Sequence, residues 1–428
     1  MTTISTSKKL VLGLQHVLAM FGATVLVPFI TGLDPAIALL AAGVGTLLFH
    51  LCAQGKVPVF LGSSFAFIGA IMMTLNPDNL NLADIANRSY YIDNLAIVKG
   101  GVIAAGFVYV AISIIVKFIG VNAVKKLFPP IVTGPIIMVI GLNLSPVAIN
   151  MALYQGDRMA NEFDPKGAFI AFVVVATMII VSIFAKGFFK LVPILIAVAV
   201  GYLVSMALGL YDVTALQNAN LFTLSDPFVR EKLFVLPHFT AQGVAAIAPI
   251  ALVVFIEHIG DITTNGAVVG KNFLEDPGVH RTLLGDGVAT LFAGLIGGPA
   301  NTTYSENTGV LAVTKVYDPS ILRIAAVFAI VFSQIGHLAA LLQTIPLAVM
   351  GGVSIILFGM IASVGVRILI NADLDFAHSR NLLISAIILV LGIGLGSTGV
   401  PIFGLTFSGL AIAAIFGVII NSILPLEI

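Results

Sequence analysis

The sequence predicts an all-α polytopic membrane protein with fourteen transmembrane segments, arranged as two inverted repeats of seven with short strands in segments three and ten. Three observations carry this reading: a composition that water cannot cover, fourteen apolar stretches whose flanking cations alternate, and a motif that recurs seven stretches later.

Hydrophobic residues fill 59% of the 428 positions and charged residues 9%, with a mean hydropathy of +1.11. A soluble chain carries about 25% charged residues, so this one lacks the polar surface to cover itself and lipid must do so. The formal net charge is zero, which gives no reason to expect a nucleic-acid partner. Cys52 is the single cysteine; it excludes intrachain disulfides and thiolate zinc clusters and reads as a small core residue. Lys8 and Lys9 precede an apolar stretch too long for a signal-peptide core and without a small-residue cleavage site, so that stretch reads as the first span.

A helical span needs roughly 20 apolar residues. Candidate spans run 10–30, 35–53, 57–75, 98–119, 129–149, 167–185, 191–210, 243–266, 281–297, 300–314, 319–342, 346–366, 380–396 and 404–423. Starting the chain inside and alternating puts Arg88, Lys99, Arg158, Lys166, Arg230 and Lys232 outside, and every other Lys and Arg inside. Cytoplasmic loops are enriched in these cations. Both termini are therefore expected in the cytoplasm, with the acidic loops 76–97 and 150–166 facing outward.

Phe128-Pro129-Pro130-Ile131-Val132-Thr133-Gly134 opens the fifth span, and Ile345-Pro346-Leu347-Ala348-Val349-Met350-Gly351 opens the twelfth. Each is followed by another glycine, Gly141 and Gly359. Seven is odd, so the second copy must be upside-down relative to the first, as in secondary transporters with a midplane site. The plainer reading is chance recurrence of Pro-Gly punctuation.

Two spans are poor helices. The third begins Val57-Pro58-Val59-Phe60-Leu61, which favours an extended strand, and Gly62-Ser63-Ser64 then offers a turn and helix caps. The tenth reads Gly297-Gly298-Pro299-Ala300-Asn301-Thr302-Thr303-Tyr304-Ser305-Glu306-Asn307 before an apolar helix of about two turns. Non-helical backbone survives at membrane depth only where it lines a cavity or is buried in protein. Each half-helix aims its N-terminal N–H groups at the bilayer centre. Re-entrant structural plugs are the alternative. Asn301, Thr302 and Thr303 read equally well as pore-lining groups or as caps, and Gly100-Gly101 and Gly351-Gly352 as close-packing positions.

Glu257, Asp261 and Glu306 fall within spans, with Asp286 borderline near the inner end of span nine. Intramembrane carboxylates are costly and usually mark a substrate or ion pathway. Glu257 and Asp261 stand at i, i+4, so one helix face presents both; repulsion between them gives that face a reason to hold a proton. Glu306 lies in the first turn of the half-helix, where the dipole favours its charge. The competing reading makes Glu257 a structural partner of Gln15 or His16. His258 points about 100° away and reads as a packed histidine.

At these residues the chain resembles the nucleobase–ascorbate transporters, and within them the bacterial uracil permeases. The family signature stands here as Glu306-Asn307-Thr308-Gly309-Val310-Leu311-Ala312-Val313-Thr314-Lys315, and Gln15-His16, Gly62-Ser63-Ser64-Phe65-Ala66-Phe67 and Glu257-His258 also match. The resemblance spans the whole chain. It implies a core domain of spans 1–4 and 8–11 (residues 1–125 and 241–343) and a gate domain of spans 5–7 and 12–14 (126–240 and 344–428). It also implies import of uracil by proton symport across the bacterial inner membrane. Glu257 and Glu306 become the principal ligands, and backbone N–H groups near Phe65 and Ser305 complete the site beside Ser64. Two departures stand out: Asp261 where some uracil permeases have histidine, and Phe358 where a tyrosine can occur.

Uracil carries alternating N–H donors and C=O acceptors, which two carboxylates and backbone N–H groups can meet with charge-assisted bonds of about 1.5–3 kcal/mol each. Phe65 and Tyr304 suit its ring faces. The proton is expected on the Glu257–Asp261 face, with His16 as a further coupling candidate. A xanthine, urate or broad nucleobase permease is the alternative, and an anion transporter or channel of the same inverted fold is disfavoured because the two glutamates would repel anions. No metal or cofactor is expected beyond the proton itself, and a homodimer stays open.

Overall fold

The computed structural model of the protein describes residues 5–75, 84–155, 162–396 and 399–425. Arg158 and the parts of the expected outer loops at 76–83 and 156–161 lie outside the described residues.

The apolar segments in chain order are α1 (Thr6–Thr31), α2 (Pro35–Cys52), α3 (Phe65–Leu75), α4 (Ile85–Ile119), α5 (Pro130–Leu153), α6 (Pro165–Phe184), α7 (Pro193–Ala207), α8 (Ala241–Val269), α9 (Val279–Ile296), α10 (Ser305–Thr314), α11 (Pro319–Ser333), α12 (Leu347–Asn371), α13 (Ser379–Leu395) and α14 (Gly409–Ile423). Among the described residues seven of these, α1, α2, α4, α5, α6, α8 and α12, are long and apolar enough to cross a membrane. Strands β1 (Leu61–Ser63) and β2 (Asn301–Thr303) precede α3 and α10, and a hairpin of β3 (Val400–Ile402) and β4 (Leu405–Phe407) precedes α14.

Helix starts follow a local rule. Asp34-Pro35, Asp164-Pro165 and Asp318-Pro319 each place an aspartate at the N-cap and proline at the first helical position. The carboxylate accepts from an orphan N–H, and proline has no N–H to lose there.

Three boundaries depart from the sequence expectation. α4 begins at Ile85 rather than 98, capped by Asp84, so much of the expected 76–97 loop is helix. Its 35 residues span roughly 50 Å, more than the hydrocarbon core, which lets its first turns be polar. The expected 319–342 helix breaks after Ser333, where Ile335 bridges to Phe222 and a separate short helix, Gly336–Gln343, follows. The expected 404–423 span is shortened by the β3–β4 hairpin, which turns at Phe403 and Gly404, both at positive φ.

α5 and α12, which open with the recurring motif, pack against each other along their length. A Cβ on Gly365 would stand 2.5 Å from the Gly134 carbonyl oxygen, and one on Gly141 would stand 2.3 Å from that of Phe358. Backbones that close exclude larger residues. α9 packs between α4 and α2, α11 against α1 and α2, and α13 against α14 and α5.

Cations assigned to opposite sides of the membrane gather at different ends of the molecule. Lys99 Nζ donates to the carbonyls of Lys232, Leu233 and Val235 at 3.2, 3.0 and 2.6 Å, Arg88 pairs with Glu231 and Lys232 pairs with Asp34 at 3.0 Å. At the other end Lys9 pairs with Asp318 and Lys56 with Asp276.

Candidate substrate site

β1 and β2 pair with each other antiparallel, in register Leu61↔Thr303, Gly62↔Thr302 and Ser63↔Asn301. Two further bonds extend the ladder, from Tyr304 N to Phe60 O at 3.0 Å and from Ser64 N to Ala300 O at 2.9 Å. In an apolar interior every backbone polar group needs a partner. The two interrupted segments supply some of one another's, and neighbouring helices supply others.

Three helices hold this strand pair, through side chains and backbone carbonyls. Thr46 Oγ1 of α2 accepts from Leu61 N at 2.9 Å, and Ser63 Oγ donates to the Thr24 carbonyl of α1 at 3.0 Å. Asn301 Nδ2 donates to the Ala41 carbonyl at 3.0 Å, while Asn301 N donates to Thr290 Oγ1 of α9 at 3.2 Å. Asn301 therefore anchors the strand. Gly62 is required by closeness, since a Cβ there would lie 2.3 Å from Tyr304 Cζ.

α3 and α10 start directly after the strands. Ser64 and Tyr304 occupy their N-cap positions, and neither side chain makes a capping bond. The first N–H groups of a helix have no intrahelical partner and sit at the positive end of its dipole. Two such uncapped starts flank the strand pair.

α8 supplies the acidic face. Asp261 accepts from Ser305 Oγ at 2.6 Å and from Thr303 Oγ1 at 3.0 Å, tying α8 to the start of segment ten. Glu257 stands one turn away, within electrostatic reach of both Asp261 and Glu306. The side chains of Glu257 and Glu306 are half-buried, and among the described residues neither bonds to another residue. Phe65 meets Phe358 of α12 edge to face, ring centroids 6.2 Å apart and planes at 77°.

The remaining sequence candidates are placed as follows. Tyr304 packs its ring over Gly62 and donates its hydroxyl to the Ser63 carbonyl at 2.8 Å. Ser64 is fully buried, and its Oγ has no partner among the described residues. His16 is buried with Asn307, whose Nδ2 lies 3.1 Å from His16 Nδ1 and donates to the His16 carbonyl at 3.0 Å. The partner of His16 is thus the signature asparagine rather than Glu257. No motif or spacing signals the partners of Asp261, nor the pairing of His258 with Asp286 and Thr282 at 2.7 and 2.9 Å. The one available signal was Asp286 itself, an acid borderline between span nine and its inner loop. Among the described residues no group of three or more His, Cys, Asp and Glu is arranged to hold a metal ion.

The sequence profile of the Permease family matches residues 7–399. The chain belongs to the nucleobase–ascorbate transporter family. The family consists of transporters rather than enzymes, and its member here is a multi-pass membrane protein. The chain is 42% identical over 414 residues to the uracil permease of Bacillus subtilis, covering 96% of this chain and 91% of that one. It is 43% identical over 417 residues to the uracil permease of Bacillus caldolyticus, covering 97% and 91%. It also shares its fold with the murine Solute Carrier 26 family member A9 anion transporter in the inward-facing state, at a TM-score of 0.69 and 11% identity over 99% of this chain and 68% of that one. Within this transporter family the strand pair, the two uncapped helix starts and the α8 acids are the candidate substrate site.

Proposed function

We propose that this nucleobase–ascorbate transporter imports uracil by proton symport across a bacterial cytoplasmic membrane, with both termini in the cytoplasm. The observation that carries the reading is the pair Glu257 and Glu306. These are carboxylates within apolar segments, without a bonded partner among the described residues, beside two uncapped helix starts. Carboxylates without a partner at membrane depth are costly, and a ligand with two N–H donors and two carbonyls relieves both the acids and the free N–H groups. Uracil has that rim. The uracil permeases of the two Bacillus species, similar over nearly the full chain, support this substrate.

In this reading Glu257 and Glu306 accept from the uracil N–H groups, while N–H groups near Phe65 and Ser305 donate to its carbonyls. Ser64 adjoins them, and Phe65 and Tyr304 bound the pocket. An anion, the cargo of the murine transporter with this fold, would meet two carboxylates and be repelled. Asp261 and Glu257 carry the coupling proton. The titratable groups nearest them are Glu306 and, on the adjoining face of α8, His258 with its partner Asp286; His16 stands on Asn307 as the further coupling candidate.

Fourteen segments in two inverted sets of seven account for the antiparallel β1–β2 pairing and for the close glycine contacts of α5 with α12. The core domain takes α1–α4 and α8–α11 (1–125 and 241–343) and the gate domain α5–α7 and α12–α14 (126–240 and 344–428). The Phe65–Phe358 contact then spans core and gate, and alternating access moves one domain against the other. The grouping of Arg88, Lys99 and Lys232 at one end supports their common outer side.

Radiolabelled uracil uptake into proteoliposomes, with and without an inward proton gradient, tests this. Accumulation is expected only with the gradient. Equal accumulation without it removes proton coupling, and no saturable uracil uptake removes the substrate.

A further inference from the structure

At the end of the molecule that carries the start of α1, a groove of about 490 Å³ opens between α1, α2 and α11. Its wall is Leu10, Leu47, Ile324, Val327 and Phe328, and its rim is Lys9, Ser320 and Arg323. The α11 residues at 320, 323, 324, 327 and 328 share one helix face. From Ser320 to Phe328 that face rises about 12 Å, close to the roughly 15 Å of one leaflet of hydrocarbon. Leu10 is 46% and Val327 51% exposed, so the wall faces the surroundings of the protein rather than its interior.

The rim is unevenly paired. Lys9 Nζ lies 2.6 Å from Asp318 Oδ2 and donates to Ser320 Oγ at 2.9 Å, so its charge is answered. Arg323 is part-buried and makes no hydrogen bond or ion pair with any described residue. It is held beside Gly55, where an added Cβ would stand 3.0 Å from its guanidinium. An unanswered guanidinium thus sits where the apolar wall begins.

We infer that this groove binds an anionic phospholipid. One acyl chain lies along Leu47, Ile324, Val327 and Phe328, and the phosphate rests on Arg323 beside Lys9. A guanidinium presents paired N–H donors that match phosphate oxygens, and the wall runs beside most of the leaflet depth that an attached acyl chain fills. Charge complementarity selects an anionic headgroup over a zwitterionic one. The site lies apart from Glu257 and Glu306 and does not depend on what the protein transports.

The test is a titration of the purified full-length protein in neutral detergent with phosphatidylglycerol or phosphatidylcholine. Thermal midpoint is read alongside retained lipid by native mass spectrometry. Phosphatidylglycerol is expected to raise the midpoint at lower concentration than phosphatidylcholine and to be retained. Arg323→Gln weakens the phosphatidylglycerol titration about fivefold, equivalent to the ~1 kcal/mol of one basic residue at an anionic lipid surface. Val327→Trp, which fills the groove and leaves the cations in place, weakens it as well. Lys186→Gln, an exposed cation away from the groove, leaves it unchanged. Each of four results overturns the site. These are equal response to the two lipids, an unchanged titration in Arg323→Gln, an equal loss in Lys186→Gln (diffuse attraction), and glycerol phosphate matching the lipid (a free-phosphate site).

Discussion

Ser305 donates its hydroxyl to the carboxylate of Asp261 at 2.6 Å. The bond joins the acidic face of α8 to the first residue of α10, 44 positions along the chain. Anything that alters the charge of Asp261 is therefore felt at the helix start beside Glu306.

That link sets the first prediction. If Asp261 takes the coupling proton, uracil binding to the wild type tightens as pH falls, because protonation removes the repulsion opposing an oriented Glu257. Asp261→Asn mimics the protonated form. Hydroxyls of Ser305 and Thr303 can rotate to accept as well as donate, so the substitution keeps the local bonds. The variant is expected to retain binding, flatten its pH dependence and lose gradient-driven accumulation. Unchanged concentrative uptake with an unchanged pH profile would move coupling to Glu257 alone or to His16.

Glu306→Ala is expected to abolish saturable uracil binding to purified protein. Removing a charged acceptor from a desolvated N–H costs about 1.5–3 kcal/mol, or roughly 10- to 150-fold in affinity. Glu306→Gln keeps one acceptor oxygen and falls less far. Wild-type affinity in a monodisperse Glu306→Ala preparation rules out direct contact.

The length and apolarity of α1, α2 and α5 were legible because both are local properties, and so was each membrane-embedded acid. The first turns of α4 were not. Residues 85–97 contain Asn87, Arg88 and Asp93, which read as loop until Asp84 is seen capping a helix that outruns the bilayer. Partners were hidden for a different reason. His16 and Asn307 are 291 positions apart, and Thr303 and Asp261 are 42 apart. No spacing rule connects them, because each contact is made only when a distant helix, α1 or α8, packs against segment ten. Ser64 illustrates the limit from the other side: its cap position was readable, yet its hydroxyl makes no cap bond.

Phe358 supplies the third prediction. Its side chain is 1% exposed and meets Phe65 edge-on, which leaves little width for a bicyclic base. Unlabelled uracil is expected to outcompete xanthine by at least about tenfold, a difference of ~1.4 kcal/mol. Phe358→Leu should narrow that ratio by admitting xanthine while uracil still binds. Equal competition by the two bases in the wild type favours a broad nucleobase permease.

The last prediction concerns the buried pair His258 and Asp286. Both side chains are fully inaccessible and 2.7 Å apart, and Thr282 holds the other ring nitrogen at 2.9 Å. This pair locks α8 to α9 through the helix face next to that of Glu257 and Asp261, so it fixes the direction in which the acidic face points. Removing one partner of a buried pair leaves the other uncompensated, at a cost of about 3–5 kcal/mol. His258→Ala is therefore expected to lower the thermal midpoint in detergent severely, because Asp286 is left without its donor. Asp286→Asn keeps a neutral hydrogen-bonding group and should cost much less. The double variant His258→Ala with Asp286→Asn should be more stable than the sum of the two losses implies, since no carboxylate then remains to be desolvated. Additive losses across that cycle would mean that the two residues do not act as a pair, and that α8 is oriented by its apolar packing alone.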